Sequence, residues 1–258
     1  MSAVVRIGAL GRAEGILLLR NALMVATALL LPVISIFGLQ SSPELQAVIG
    51  AGSGAAVITA VTVVTLVLFV YYQLTTALVA RREELVLKRL RTGELADWEI
   101  LAGAAMPSVV IAWTQILLAT AVSAIWLTLD APVNLLLVLV AILFGTLVFV
   151  LLAAASTAFA PTVDVAQVVT APVMFVALMF SGLYLPLSGP LETVSRLLPL
   201  TPVVDLLRLG LSGTTRDGAT VGLADSFAYA VPAVLVLLGW VVVGALATRR
   251  WFRWEPRR

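Results

Sequence analysis

The 258-residue chain contains no cysteine and no histidine. The first absence excludes disulfides and thiolate chemistry, and the second removes the commonest metal ligand and the usual general base. The sequence also has no G-x-x-x-x-G-K-[ST] loop, so we do not expect it to bind and hydrolyse ATP by itself. No paired carboxylates or nucleophile-and-base set suggests an enzyme. We expect no catalytic residues, no metal site and no cofactor bound by this chain.

Charge is also scarce, because only 12% of the residues are charged while 61% are hydrophobic. The mean hydropathy of +1.10 is too high for a soluble globule of this size. A helix that crosses a bilayer needs about 20 mostly apolar residues. The sequence therefore predicts an all-α integral membrane protein with six transmembrane helices, at about residues 22–39, 54–80, 104–129, 133–159, 165–185 and 227–248.

The few basic residues give the chain an orientation. Six spans place both termini on one side, and that side then holds 13 of the 16 Lys and Arg residues, whereas the other side holds only Arg196, Arg208 and Arg216. By the positive-inside rule, both termini are predicted to be cytoplasmic. Because the basic residues lie at the ends of spans, the membrane explains them and we expect no nucleic-acid partner.

The first twenty residues mix apolar side chains with Arg6, Arg12, Glu14 and Arg20. This pattern predicts an amphipathic helix at 1–20 that lies in the membrane interface. The alternative is a frayed cytoplasmic start to the first span.

The second apolar run is long enough to extend beyond the bilayer, since 27 helical residues would measure about 40 Å. We expect its inner end to protrude into the cytoplasm. Tyr71 and Tyr72 near that end form an interfacial aromatic belt in one interpretation and contribute to a substrate cavity in the other.

Residues 186–226, on the predicted external side, combine four prolines with two apolar pieces that are too short to cross a membrane. Proline interrupts any longer helix, and irregular backbone at membrane depth needs cover from protein or water. We expect a re-entrant pair of short helices here, and the alternative is a plain external loop.

The highest density of charge lies between the second and third spans, in the predicted cytoplasmic segment 81–103. Thr92 is predicted to cap a short helix at Glu94–Leu101. On that helix Leu95, Trp98, Leu101 and Ala102 would share one face, while Glu94, Asp97 and Glu99 lie away from it. Such a helix could fit a cleft on another protein, or Trp98 could simply anchor the third span at the headgroups.

The spans have no ionisable residue near their middle. Carriers driven by protons or sodium usually place such groups within the bilayer, where the coupling ion binds. The sequence therefore argues against a secondary antiporter.

Three stretches resemble the permeases of type-2 ABC exporters, a class that includes the daunorubicin-type drug exporters. They are the coupling segment from Arg82 through Trp98-Glu99-Ile100-Leu101-Ala102-Gly103, then Phe180-Ser181-Gly182-Leu183-Tyr184-Leu185-Pro186-Leu187, and finally Leu198-Pro199-Leu200-Thr201-Pro202 with Asp205-Leu206-Leu207-Arg208. Gly93-Glu94-Leu95 departs from the pattern, because many relatives have proline after the threonine.

The resemblance implies that 1–258 is a single transmembrane permease domain in a bacterial cell membrane. Two separate ATPase subunits, carrying ATP and magnesium, would dock on it, and a second permease copy or a sibling would complete the path. The residues implied for ATPase coupling are Arg82, Glu83, Glu84, Lys88, Arg89, Arg91, Glu94, Leu95, Asp97, Trp98, Glu99 and Leu101. Those implied for the substrate path are Phe69, Gln73, Phe175 and Met179, and those for the external re-entrant segment are Pro186, Pro199, Pro202 and Arg208.

The expected function is ATP-driven export of a hydrophobic or amphipathic small molecule, such as a drug or antibiotic, because spans without charge suit such a cargo. Within the same class the alternative is export of a lipid-linked glycan or a lipid. Outside it, the alternatives are a secondary carrier without ATP and a membrane sensor or assembly factor.

Overall fold

The computed structural model describes Leu30, Ile34 and residues 53–93, 95–183 and 189–255. Leu30 and Ile34 are helical and exposed. The rest of the predicted first span, the predicted interfacial helix at 1–20, and Glu94 and Pro186 lie outside the described residues.

The second apolar run forms one unbroken helical rod at the centre of the protein. It consists of α1 (Ser53–Thr65), a π-helical stretch (Leu66–Tyr72) and α2 (Gln73–Glu83). In its most apolar window 89% of the residues are buried, against 22% in the last long helix. Thr59, Thr62 and Thr75 are buried with their hydroxyls satisfied, because each donates to a carbonyl one turn earlier, as Thr62 does to Ile58 O at 2.7 Å.

The remaining helices surround this rod. They are α3 (Val86–Arg91), α4 (Asp97–Trp126), α5 (Leu135–Ser156) with a 3-10 turn (Thr157–Phe159), α6 (Val163–Met179), α7 (Pro190–Arg196), α8 (Thr201–Ser212) and α9 (Leu223–Trp251). Helix α4 packs on α1, α6 packs on α2, and α8 lies against α1, α5 and α9. Most of their contact faces belong to one hydrophobic core, and Val79, Ala160 and Ala166 form a separate small cluster.

Four helices of the described chain are long and apolar enough to cross a membrane: Gly54–Glu83, Asp97–Trp126, Leu135–Phe159 and Leu223–Trp251. They correspond to the predicted second, third, fourth and sixth spans. The described residues contain no β-strand, only an isolated bridge between Thr214 and Thr220. The prediction of an all-α, multi-pass membrane protein is therefore confirmed at this level, and the six-span arrangement stays a prediction.

The predicted fifth span, 165–185, is a shorter helix. Helix α6 has 17 residues and ends at Met179, where Phe180 leaves the helical backbone and Gly182 takes a positive φ of 73°. At 1.5 Å per residue it is about 26 Å long, slightly less than the hydrocarbon thickness.

The predicted separate coupling helix at Glu94–Leu101 is wrong. Helix α4 begins at Asp97 and continues without a break to Trp126, because no residue between Ile100 and Met106 ends a helix and Pro107 is accommodated inside it. The predicted Thr92 cap is also wrong, since Thr92 Oγ1 donates to Arg89 O at 2.8 Å and so closes α3.

Two short helices occupy the predicted re-entrant segment, and the second is deeply buried. Helix α8 approaches α5 so closely that a Cβ on Gly210 would lie 2.7 Å from Val138 Cγ2. The Asn134 backbone N–H donates to Gly210 O at 2.9 Å, and the Asn134 side chain donates to Ser226 Oγ at 2.9 Å. This junction joins α8, α5 and α9, and its position in an outer leaflet stays a prediction.

Candidate functional site

The predicted coupling segment contains a compact elbow, which we define as residues 83–93 and 95–98. Helix α2 ends in a tight turn, where the Leu85 N–H donates to Arg82 O at 3.1 Å. Leu85 has a φ of 59°, a left-handed conformation that is unusual for a residue with a branched side chain. The turn redirects the chain into α3, which packs on both α2 and α4.

Arg82 lies beneath the elbow and is buried, with 3% of its surface exposed. Its guanidinium donates to Thr157 O at 2.9 Å, to Pro161 O at 3.4 Å and to Ala160 O. These carbonyls follow the C-terminal end of α5, where a cation is favoured by the helix dipole. Arg82 therefore ties the ends of two long helices together and offers little surface to a partner.

The outward face of the elbow is open to solvent. Leu87 is 1% exposed and holds α3 in place, while the charged residues beside it are exposed. Arg89 Nη2 donates to Glu84 O at 3.0 Å, and Arg91 Nε lies 3.1 Å from Asp97 Oδ1. The predicted coupling residues that the structure gathers on this face are Glu83, Glu84, Lys88, Arg89, Arg91 and Asp97.

The start of α4 separates the predicted coupling residues into two groups. Trp98 is 58% exposed, whereas Glu99 is only 2% exposed, so the prediction that Glu99 flanks an exposed acidic surface is wrong. Glu99 Oε2 accepts the Ala96 N–H at 2.9 Å and so caps the first turn of α4. Leu95 is half-buried, and Leu101 packs against the core.

A C-terminal tail folds back onto the elbow, a contact that the sequence did not predict. Lys88 Nζ lies 3.1 Å from Glu255 Oε1, and Arg91 Cζ lies 5.0 Å from the centre of the Trp254 ring. Phe252 packs edge-on against Trp254 at 4.8 Å. The alternation of arginine and aromatic residues after α9 was the available signal for such a contact.

The four predicted path residues lie on two helices that pack together. Phe69 belongs to the π-helical stretch and is 7% exposed, Gln73 and Met179 are half-buried, and Phe175 is 64% exposed. Val79 and Ala166 share a small cluster near the elbow. The rod and α6 run in opposite directions from this cluster. Phe69 lies ten residues before Val79 and Phe175 nine residues after Ala166, so both lie about 14 Å deeper in the protein.

The π-helical stretch is held by polar contacts inside the core. Tyr71 is completely buried, with its hydroxyl 3.0 Å from Ser156 Oγ and its ring edge-on to Phe149 at 6.3 Å. The interpretation of Tyr71 as part of an interfacial belt is therefore wrong. Nearby, Thr65 Oγ1 donates to Gln115 Oε1 at 2.7 Å, which joins the rod to α4.

The opposite end of the protein carries the predicted re-entrant residues. Pro199 and Pro202 are buried in and just after the turn between α7 and α8, and Arg208 is 9% exposed. Thr201 Oγ1 donates to Phe180 O at 2.9 Å, which fixes the start of α8 to the end of α6. In the described part of the chain, no group of three or more acidic side chains could hold a metal ion.

Charged residues at this end form a network around α7 and α8. Arg216 makes a bidentate contact with Asp205, at 2.9 and 3.0 Å from Nη2, and Arg196 Nη2 donates to Glu192 Oε1 at 2.7 Å. The hydrogen bond from Arg196 lowers the pKa of Glu192 below its usual value.

The profile of the ABC-2 type transporter membrane family matches residues 6–211, which is most of the chain. The chain belongs to this family. It is therefore an ABC-2 permease, a transport subunit that is not itself catalytic, and the family implies a partner ABC ATPase. No curated protein matches the permease significantly. The match ends inside α8, so α9 and the tail that contacts the elbow lie beyond it.

Proposed function

We propose that this ABC-2 permease exports a hydrophobic or amphipathic small molecule, such as a drug or antibiotic, from a bacterial cell. Two ATPase copies, carrying ATP and magnesium, dock at the elbow on the cytoplasmic side, where both termini lie. A second permease copy or a sibling completes the path. The family membership supports the ATPase partner, and the elbow supports its docking site.

The observation that carries the proposal is an exposed surface on a rigid support. Trp98 and the exposed charges of α3 face outward, and an exposed tryptophan beside arginines is typical of binding hot spots. Behind them the buried Arg82, Leu87 and Glu99 fix the elbow to the ends of α2, α5 and α4.

This arrangement explains how a push at the elbow would reach the membrane. Helix α4 is continuous from Asp97 to Trp126, so a displacement at Trp98 moves a rod about 45 Å long as one body. Arg82 transmits the same displacement to the end of α5 through its carbonyl contacts. The ATPase would therefore tilt two long helices together.

The surfaces on either side of the proposed path support a lipophilic cargo. Helix α6 exposes apolar side chains, with Val168 71% and Phe175 64% exposed, on a helix that also packs against the rod. Across a second copy, such faces would enclose a cavity without charge, together with Gln73 and Met179. A path of this kind stabilises a lipophilic cargo and gives an ion no compensation for lost water.

The test uses two tryptophans at opposite ends of α4. We expect Trp98→Ala to weaken docking of a co-expressed candidate ATPase about tenfold and to remove turnover stimulated by lipophilic compounds. Trp126→Ala is the matched control, because Trp126 is 76% exposed on the same helix but far from the elbow. Docking would be measured by co-purification and by binding of labelled ATPase to permease in nanodiscs.

Unchanged docking and turnover in Trp98→Ala and Glu94→Ala would show that the elbow is not the ATPase site. The cargo is tested separately in the unaltered complex. If lipophilic compounds leave ATP turnover unchanged while a lipid-linked glycan stimulates it, the small-molecule proposal is wrong and the alternative cargo replaces it.

A further inference from the structure

A cavity of about 410 Å³ lies at the end of the protein opposite the elbow. Its position follows from α9, which passes the cavity near Tyr229 and reaches the elbow end at Trp251, about 33 Å away. Charged side chains from α7, α8 and the loop after α8 form one side of the cavity. An apolar face of α9 forms the other.

The charged side offers guanidinium donors that are only partly used. Arg216 donates hydrogen bonds from Nε and Nη2 to Asp205. Its Nη1 lies 3.9 Å from Glu192 Oε1, which is too far for a hydrogen bond. Arg196 directs Nη2 to Glu192, and its side chain is 56% exposed. Two arginines with spare N–H groups at one cavity form a typical phosphate-binding arrangement.

Backbone hydrogen bonds fix Arg216 and its neighbour Asp217 at the cavity. The Thr215 N–H donates to Ala219 O at 2.8 Å, and the Gly218 N–H donates to Thr215 O at 3.1 Å. Gly218 has a φ of 82°, which suits glycine and closes the turn. Asp217 is exposed at the tip of this turn and lines the same cavity as Tyr229.

The apolar side belongs to a helix long enough to cross the membrane. Pro232 and Val236 line the cavity, and Val236 lies about 10 Å along α9 from Tyr229. Trp240 Nε1 donates to Leu197 O at 2.8 Å, which fastens the end of α7 onto α9. The cavity therefore has a charged end at the surface and an apolar wall that runs toward the membrane interior.

We propose that this cavity binds the headgroup of a zwitterionic glycerophospholipid from the adjacent leaflet. Its phosphate accepts hydrogen bonds from Arg196 and Arg216, and its ammonium lies between the Asp217 carboxylate and the Tyr229 ring. One acyl chain lies along Pro232 and Val236. Two arginines and two carboxylates, those of Asp205 and Asp217, line the cavity, so its charges balance. Such a lining matches a headgroup that carries both charges, which an anionic lipid does not. The site requires no ATPase and no particular cargo.

The test measures binding of short-chain phosphatidylethanolamine, phosphatidylglycerol and inorganic phosphate to the full-length permease in detergent, by native mass spectrometry and by the shift in thermal midpoint. We expect phosphatidylethanolamine to bind most tightly. Val236→Trp should weaken it at least tenfold by filling the apolar wall. Val243→Trp is the matched control, because Val243 is exposed two turns further along the same helix and lies outside the cavity.

Two further variants test the headgroup contacts without filling the cavity. Arg196→Gln removes a charged donor from an exposed side chain and should weaken phosphatidylethanolamine binding about tenfold. Asp217→Asn should abolish the preference over phosphatidylglycerol, since the carboxylate no longer repels an anionic headgroup or attracts an ammonium.

Three results would overturn the proposal. Equal binding by Val236→Trp and Val243→Trp would place the lipid elsewhere. Equal binding of phosphatidylglycerol by the unaltered permease would remove the role of Asp217. A thermal shift from inorganic phosphate as large as that from the lipid would mean that the cavity holds a free anion.

Discussion

The two ends of the helical bundle hold their charges in different ways. At the elbow, Lys88 and Glu255 make a single contact while their side chains are 52% and 62% exposed. At the opposite end, Arg216 and Asp205 make a bidentate contact at 19% and 23% exposure. Exposed pairs add little to stability, whereas a partly buried bidentate pair fixes geometry. The outward charges of the elbow are available to a partner, and those of the other end shape a cavity.

Arg82, which lies beneath the elbow, is the exception at this end, and removing its charge should give the largest effect that we expect. Arg82→Met keeps an unbranched apolar side chain at this position but leaves the carbonyls after α5 without their buried donor. The free energy of unfolding should fall by about 3 kcal/mol, since hydrogen bonds from charged groups contribute more than neutral ones. A denaturant titration in mixed micelles, followed by tryptophan fluorescence, measures this change.

Arg89→Met is the control for that variant, because Arg89 lies on α3 and the one described hydrogen bond of its side chain, to Glu84 O, is exposed. It should leave stability within about 0.5 kcal/mol. If both variants lose the same stability, the support of the elbow does not come from Arg82.

The second prediction concerns the close approach of α8 to α5. Gly210→Ala should lower the free energy of unfolding by about 2 kcal/mol. The new Cβ would lie 2.9 Å from Asn134 O and 3.0 Å from Val138 N, and these backbone atoms cannot move away as a flexible side chain could. The same denaturant titration measures the loss.

Gly239→Ala makes the same chemical change in α9, where a Cβ would meet nothing within 4 Å. It should be neutral or slightly stabilising, since alanine favours a helix over glycine. Equal losses in the two variants would mean that α8 is not packed as tightly as the structure has it.

The smallest effect is expected from the ion pair between the elbow and the tail. Lys88→Ala and Glu255→Ala should each change the free energy of unfolding by less than about 0.5 kcal/mol. In a double-mutant cycle the coupling energy should be equally small. A coupling above about 1 kcal/mol would make the tail a structural brace and would remove the contrast between the two ends.

The long apolar helices were predictable from the sequence, because the length of an uninterrupted apolar run is enough to predict a helix that can cross a membrane. The four runs that became the helices Gly54–Glu83, Asp97–Trp126, Leu135–Phe159 and Leu223–Trp251 contain no charge in their central turns. The short helices around Pro190 and Pro202 were also predictable, since proline favours the first turn of a helix and disrupts later ones.

The elbow could not be predicted in the same way, because its geometry depends on contacts between distant residues. Nothing in the pattern around Arg82 distinguishes it from its neighbour Arg81, and the contacts of Arg82 with the carbonyls of residues 157, 160 and 161 become visible only in the fold. Helical spacing predicted that Glu99 lies on the surface. In the structure its carboxylate instead accepts the Ala96 N–H. The contact of the tail with α3 joins residues more than 160 positions apart.

The π-helical stretch from Leu66 to Tyr72 sets a rotational offset within the central rod. A wider helical turn contains one residue more than an α-helical turn, so the two halves of the rod are out of phase by about 100°. Residues before Leu66 and after Tyr72 therefore face neighbours that a uniform helix would not bring to them, with Thr65 meeting Gln115 and Thr75 meeting Ala153. Deleting one residue in this stretch would bring the halves into phase and turn one of those faces away from its partner, so the length of seven residues keeps both contacts in register.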